Sequence, residues 1–281
     1  MANLFIIGNG FDFQHNVHYT NSNNEKITTS LDDFSKELKK NCPDIFDKIQ
    51  DSLNKVDKKV SWNNLERIKF MGNLTEDQRK LFYDQLKRWV RKLDNNVNYK
   101  NFENDNKKLK EFLRLKNGIF DEKTYFLNFN YTRTIEKLYG YEEKNIIHIH
   151  GDSSCPTLAY SGEFNPQRQI REQNKIDFRK PVDGFRNILG NWLQNKVRET
   201  NFVNIYVYGF SFYGADLAYL WTILDCLRDK GKVIKVCNYQ AEEIKKDKKP
   251  NLRDNIIRTV KNYSNSGYEI EIVDFEENSL I

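Results

Sequence analysis

The 281-residue sequence predicts an α/β fold, a doubly wound parallel sheet of about six strands with a helical insertion after the first strand. Three observations lead there. Short apolar runs without polar alternation recur along the chain, the pattern of strands covered on both faces. Helical periodicities alternate with those runs in the second half, as crossovers between parallel strands require. Several of the runs end abruptly in turns rich in Gly, Asn, His or Ser, where α/β sheets hold ligands.

The first run, Asn3–Ile7, carries Leu4-Phe5-Ile6-Ile7 and stops at Gly8-Asn9-Gly10. From about 21 to 120 the pattern becomes helical: Leu31–Lys40, Pro43–Lys55, Asn64–Met71, Glu76–Leu93 and Asn104–Leu115. Pro43 suits a first helical turn, where its missing N–H has no partner to lose. Leu81, Phe82, Leu86, Trp89, Val90 and Leu93 make an apolar stripe at near-helical spacing, expected to pack into a core. Strand-like runs resume at Thr124–Asn128, Asn145–His150, Val203–Tyr208, Lys232–Cys237 and Tyr268–Val273. Helical stretches Thr132–Tyr139, Val182–Arg198, Ala215–Arg228 and Leu252–Tyr263 fall among them, and Ser153–Lys180 is a polar, aromatic loop long enough to be a lid. The division expected is a sheet domain from 1–20 and 121–281, with 21–120 as the helical insertion.

The bulk numbers narrow the function classes. Lys+Arg 45 against Asp+Glu 40 is a mild excess of +5, which permits anionic ligands without requiring nucleic acid. The basic run Lys245–Lys249 reads as a solvated face. Cys42, Cys155, Cys226 and Cys237 show no C-x-x-C spacing, which argues against a zinc ribbon. With no secretory leader and no apolar run of the roughly 20 residues a membrane span needs, a cytoplasmic protein is expected.

Four turns carry candidate chemistry. Gly8-Asn9-Gly10-Phe11-Asp12 follows a strand as a phosphate-cradling turn does, although Phe13 stands where the dinucleotide fingerprint has its third glycine. Asp12 suits a cap, a ribose hydroxyl or the orientation of another side chain better than a phosphate. At the next strand end, Asn130 and Thr132 either face the same crevice or cap the helix that follows. His148-Ile149-His150-Gly151-Asp152 holds two of the four histidines. His150, at the strand exit, is the better general base and His148 the better core residue. Tyr208-Gly209-Phe210-Ser211 runs on to Gly214-Ala215-Asp216. Gly209 and Ser211 there are either ligand-contacting or plain turn residues, and Ser211 lacks the flanks of a nucleophile elbow.

"IIGNGFD", "NFNYTRTIEKLY", "HIHG" and "YGFSFYGAD" occur in the order found in the bacterial abortive-infection AbiH family. Trp62-Asn63-Asn64-Leu65-Glu66 resembles that family's W-x-x-L-E segment. The family in turn resembles sirtuin-like NAD-binding proteins with a Rossmann-like sheet. The resemblance implies that Gly8, Asn9 and Gly10 surround the pyrophosphate and ribose of NAD, and that Asn130 positions ribose or water. It implies His150 as the catalytic histidine, and Ser211 and Asp216 as part of a later nucleotide-contacting turn. Two features depart from the pattern: Asn16–Thr20 replaces a G-L-P-T-S-Y-like stretch, and Thr132 stands where sirtuin-like enzymes often carry Asp. Zinc-binding cysteines are absent, so neither zinc nor protein deacylation is expected.

The function implied is NAD glycohydrolysis by an antiphage effector, with NAD as substrate rather than resident cofactor. The alternatives are a non-hydrolytic sensor of an ADP-ribose-like nucleotide and an RNA-acting nuclease. The last has no carboxylate cluster for two metals behind it. NAD or a related nucleotide is the expected partner, together with further copies of the chain or another defence protein; nucleic acid and membrane are not expected.

Overall fold

The computed structural model describes residues 2–56, 61–62, 65, 70–97, 124–156, 189–192, 202–210, 216, 219–220, 223–224, 233–237 and 269–273. Asn104–Leu115, Leu252–Tyr263 and Lys245–Lys249 lie outside the described residues, as do most of Asn64–Met71, Val182–Arg198, Ala215–Arg228 and Ser153–Lys180.

The architecture is mixed α/β around a parallel sheet. β1 (Ala2–Ile7) is at its centre, with β4 (Thr124–Asn128) on one side and β6 (Phe202–Tyr208) on the other. β5 (Ile146–His148) lies outside β4, and β7 (Val233–Cys237) and β8 (Glu269–Val273) continue beyond β6. Every pairing in this sheet is parallel. After β5 the chain returns to the middle of the sheet, so its direction of growth reverses between β1 and β6. In open α/β sheets that reversal opens a crevice at the carboxyl ends of the strands.

Apolar side chains explain why β1 is central. Leu4, Phe5, Ile6 and Ile7 are all fully buried, so both faces of the strand are covered. Phe5 is in register with Phe126 and Tyr206, and its ring stacks on theirs at 5.3 and 4.8 Å. This aromatic rung joins β4, β1 and β6 and contributes beyond its buried area.

Between β1 and β4 runs a helical layer with its own core. α2 (Leu31–Asn41) starts at Ser30, whose hydroxyl accepts from the N–H of Asp32. α3 (Pro43–Val56) places its proline in the first turn. α4 (Glu76–Asn95) opens with a reciprocal capping box between Thr75 and Gln78. Its face of Phe82, Leu86, Trp89, Val90 and Leu93 is buried against Phe34, Leu38, Ile45, Ile49 and Leu53. Leu81 departs from the expected stripe and is exposed, because it stands one residue off that face. Trp62 and Leu65 join this core, and the Trp62 indole donates to Gln50.

One element was not foreseen. A two-stranded antiparallel hairpin, β2 (His18–Thr20) and β3 (Lys26–Thr28), occupies the start of the segment read as helical. Asn21 closes its turn, accepting through Oδ1 from the N–H groups of Asn23 and Glu25, while Asn24 adopts φ +60°. The run Asn21-Ser-Asn-Asn24 between two Thr-ending triplets, His-Tyr-Thr and Lys-Ile-Thr, is the signal that marks it.

The β1 and β6 exits touch backbone to backbone. The Gly10 N–H donates to the Gly209 carbonyl at 2.9 Å and the Gly8 N–H to that of Tyr208 at 2.8 Å. A Cβ on Gly8 or Gly10 would stand 2.5 or 2.7 Å from Gly209 backbone atoms. One on Gly209, at φ +63°, would stand 2.4 Å from the Phe11 nitrogen. Gly209→Ala is therefore expected to cost about 3 kcal/mol or more, from strain and overpacking together. Gly72→Ala, where a Cβ would meet nothing within 4 Å, should be near neutral. Denaturant unfolding of both variants checks the contrast.

Candidate functional site

Four strand exits, of β1, β4, β5 and β6, meet at one edge of the sheet and interlock. The β1 exit continues into α1 (Asn9–Gln14), with Gly8 preceding it and offering no side-chain cap. Asn9 is exposed and faces the helical layer: it exchanges hydrogen bonds with Thr29, through Oδ1 to the Thr29 hydroxyl and through Nδ2 to its carbonyl. Phe13 is 52% exposed, at the end of the same short helix. The N–H of Gly10 is engaged by the Gly209 carbonyl, so this turn packs against the β6 exit.

Asp12 points the other way and is fully buried. Its Oδ2 accepts from the Thr132 hydroxyl at 2.6 Å and its Oδ1 from that of Thr134 at 2.8 Å. Asp12 and Thr132 thus fasten the β1 exit to the β4 exit. The fully buried Asn128, last residue of β4, tightens the same turn by accepting from the Asn130 N–H at 2.9 Å and donating to the Thr132 carbonyl at 3.2 Å.

Asn130 is held within that turn at 4% exposure. Its Nδ2 donates to the Gly8 carbonyl at 3.2 Å, which fixes which way the carboxamide points, since a carbonyl accepts only from the NH₂ end. Its Oδ1 is then a buried acceptor with no partner among the described residues. Leaving a buried acceptor unmade costs about 1–3 kcal/mol, and such groups call for a ligand or a functional reason.

His150 follows β5 and is also 4% exposed. Gly151 makes this possible: it turns at φ +69°, and a Cβ there would meet the Cys155 carbonyl at 2.0 Å. The imidazole lies beside the rings of Phe129 and Tyr131, at 5.7 and 5.6 Å between centroids, so the residues on either side of Asn130 flank it. Its Nε2 pairs with Asp216 at 3.0 Å. His148 has a different setting, paired through Nε2 with Glu136 at 2.7 Å. Burial opposes its charge, but the hydrogen bond and charge of Glu136 outweigh that and raise its pKa. Glu136 lies on α5 (Thr134–Tyr139), so His148 is a strut between β5 and that helix.

The helical layer is latched to the same turns. Asp94, near the end of α4, accepts from the Arg133 N–H at 2.8 Å and pairs with Lys137 at 2.9 Å. Arg133 also grips Asp152, just after His150; burial opposes the charge of that carboxyl, but the Ser154 hydroxyl and then the Arg133 guanidinium outweigh it and hold its pKa well below the usual range. Tyr131 packs between Trp89 of α4 and the His150 ring. None of these latches was legible in the sequence, because Asp94, Arg133 and Lys137 look like ordinary surface charges on their helices.

Of the residues singled out from the sequence, the structure brings Gly8, Gly10, Asp12, Asn130, Thr132, Gly209, His150 and Asp216 into one connected region. Asn9 turns toward the helical layer, and Ser211 lies outside the described residues. Among the described residues, no group of three or more His, Cys, Asp or Glu side chains is arranged to hold a metal ion, and no helix is long and apolar enough to cross a membrane.

Two buried groups, Asp12 on α1 and His15 just after it, have opposing pH behaviour. Burial pushes the Asp12 pKa up to about 6, against the lowering effect of the two threonine hydroxyls. Between an ordinary carboxylate value of about 4 and that of Asp12, the folded state holds a proton the unfolded chain has lost, so this contribution falls as pH rises. Burial pushes His15 down to about 4, the Phe11 carbonyl opposing it, so between about pH 4 and 6.5 the unfolded chain holds the extra proton and stability rises with pH. Each contribution is roughly 2–3 kcal/mol and they oppose each other. Relative to wild type, the Tm difference between pH 6 and pH 4 should become more positive in Asp12→Asn and more negative in His15→Gln, as thermal unfolding at the two pH values will show.

Neither a curated protein nor a solved structure matches the chain. The sequence profile of the bacteriophage abortive infection AbiH family matches residues 4–239, which takes in β1, the helical layer, all four strand exits and β7. The chain therefore belongs to the bacteriophage abortive infection AbiH family, and that membership implies a role in abortive infection by phage.

Proposed function

We propose that the protein is an antiphage effector that hydrolyses NAD at the nicotinamide–ribose bond, with Asn130 and His150 carrying the chemistry. The observation that supports this most is the buried, oriented and unpartnered Oδ1 of Asn130, lying in sequence between two aromatic rings that flank the His150 imidazole. A carboxamide oxygen of this kind suits a ribose hydroxyl or a water at the anomeric carbon. A histidine whose ring lies against the residues on either side of Asn130 suits general-base work near pH 7.

The order of the sheet supports a Rossmann-like, sirtuin-like reading. Counted in chain order, its strands run 3-2-1-4-5-6, the order of dinucleotide-binding sheets, with the crevice beside the first strand. In the reaction water adds at the anomeric carbon, the C–N bond breaks, and its electron pair leaves with nicotinamide. The water's proton passes to His150, and ADP-ribose is the other product. The transition state resembles an oxocarbenium ion, as in other glycoside cleavages. Holding the sugar and water in place supplies much of the rate, and the base about 10²–10⁴-fold. The NAD pool such an effector drains is cytoplasmic.

A second reading is a nucleotide sensor that binds without turnover. It is favoured by the internal pairing of Asp12 with Thr132, which keeps the carboxylate nearest the turn away from any ligand. Purified protein, alone and with extract of phage-infected cells, should release nicotinamide from NAD, followed by chromatography. Asn130→Ala and His150→Ala should each lower the rate by roughly 10²-fold or more. Undiminished cleavage by either variant sinks the mechanism. A nucleotide that raises the Tm of wild type without being consumed would establish the sensor.

A further inference from the structure

We infer that Asp216 is the positioning residue of His150, setting its tautomer so that Nδ1 is the nitrogen that receives the proton from water. The catalytic part of this inference rests on the glycohydrolase reading; the tautomeric part does not. By resemblance alone, Asp216 would be a nucleotide contact. Its Oδ1 instead lies 3.0 Å from His150 Nε2. An ionised carboxylate only accepts hydrogen bonds, so Nε2 carries the hydrogen, and the basic lone pair of the neutral ring is on Nδ1.

The surroundings fit that role. The imidazole is buried and flanked by Phe129 and Tyr131, which limit its rotation, while the Asp216 side chain is 24% exposed. The carboxylate thus keeps contact with water, and its charge reaches the ring without the desolvation cost of a fully buried ion. His150 follows β5 and Asp216 follows β6, strands three places apart in the sheet. The pair therefore joins loops from either side of the β4 and β1 exits, where Asn130 and Gly8 sit. When water attacks, its proton adds to Nδ1, Nε2–H remains bonded to Asp216, and the imidazolium is stabilised by that carboxylate. No other reactant is required.

The test uses the full chain labelled with ¹⁵N-histidine. Four histidines make the spectrum assignable, with His150→Gln identifying the resonance. At a pH where the ring is neutral, wild type should show His150 as the Nε2–H tautomer. Asp216→Asn can donate to Nε2 from its carboxamide, so the population should move to Nδ1–H, whereas Asp216→Glu should restore Nε2–H. Nicotinamide release should fall with Asp216→Asn by roughly 10²-fold or more in kcat, with KM for NAD changed less than about threefold. An unchanged tautomer in Asp216→Asn overturns the inference, as does a rise in KM with kcat preserved, which marks a nucleotide contact. If wild type cleaves no NAD at all, the glycohydrolase reading fails, and the tautomer spectra alone decide the role of Asp216.

Discussion

The contact between Gly8, Gly10 and Gly209 is the constraint on which the rest of the site depends. Two strand exits approach so closely that neither tolerates a Cβ, and the Gly10 amide is bound by the Gly209 carbonyl. This brings the β1 and β6 turns to the same height at the point where the sheet reverses. The junction of the two exits is thereby defined by backbone, which has no rotamers to lose. The glycines that read as a ligand turn in the sequence also let two strand exits pack backbone to backbone.

From that contact the order spreads through buried polar groups. Asp12 reaches to Thr132 and Thr134, Asn128 shapes the turn from within, and Asn130 closes back on the Gly8 carbonyl. Each of these bonds is shielded from water, so each is costly to leave unmade, and together they allow the turn few alternative conformations. Asn130 is the member whose second polar atom is left over. The residues on either side of it, Phe129 and Tyr131, lie against the His150 imidazole.

The helical layer is tied into this arrangement from its far side. Asp94 holds the backbone of Arg133 and the ammonium of Lys137, and Trp89 reaches His150 through Tyr131. A displacement of α4 would therefore act on both the turn that holds Asn130 and the His150 ring. The core on one face of the sheet and the core of the helices share the half-buried Val97, so they are not mechanically independent.

The strands, the three long helices α2 to α4 and the four turn positions were legible in the sequence because they rest on local physics. Unbroken apolar runs such as Leu4–Ile7 have to be covered on both faces. Apolar spacing in Glu76–Leu93 has to bury one helical face, and Gly-, Asn- and His-rich segments end strands. The hairpin at 18–28 was missed because three-residue strands carry too little periodicity to register. What only the tertiary structure decided is pairing. Asp12 with Thr132, Asp94 with Arg133, and His150 with Asp216 join residues that are distant in sequence, and each residue alone fits a cap, a surface charge or a ligand contact equally well. A sequence displays the chemical capacity of a side chain, whereas burial and the choice of partner, which settle how that capacity is used, exist only once the chain has folded.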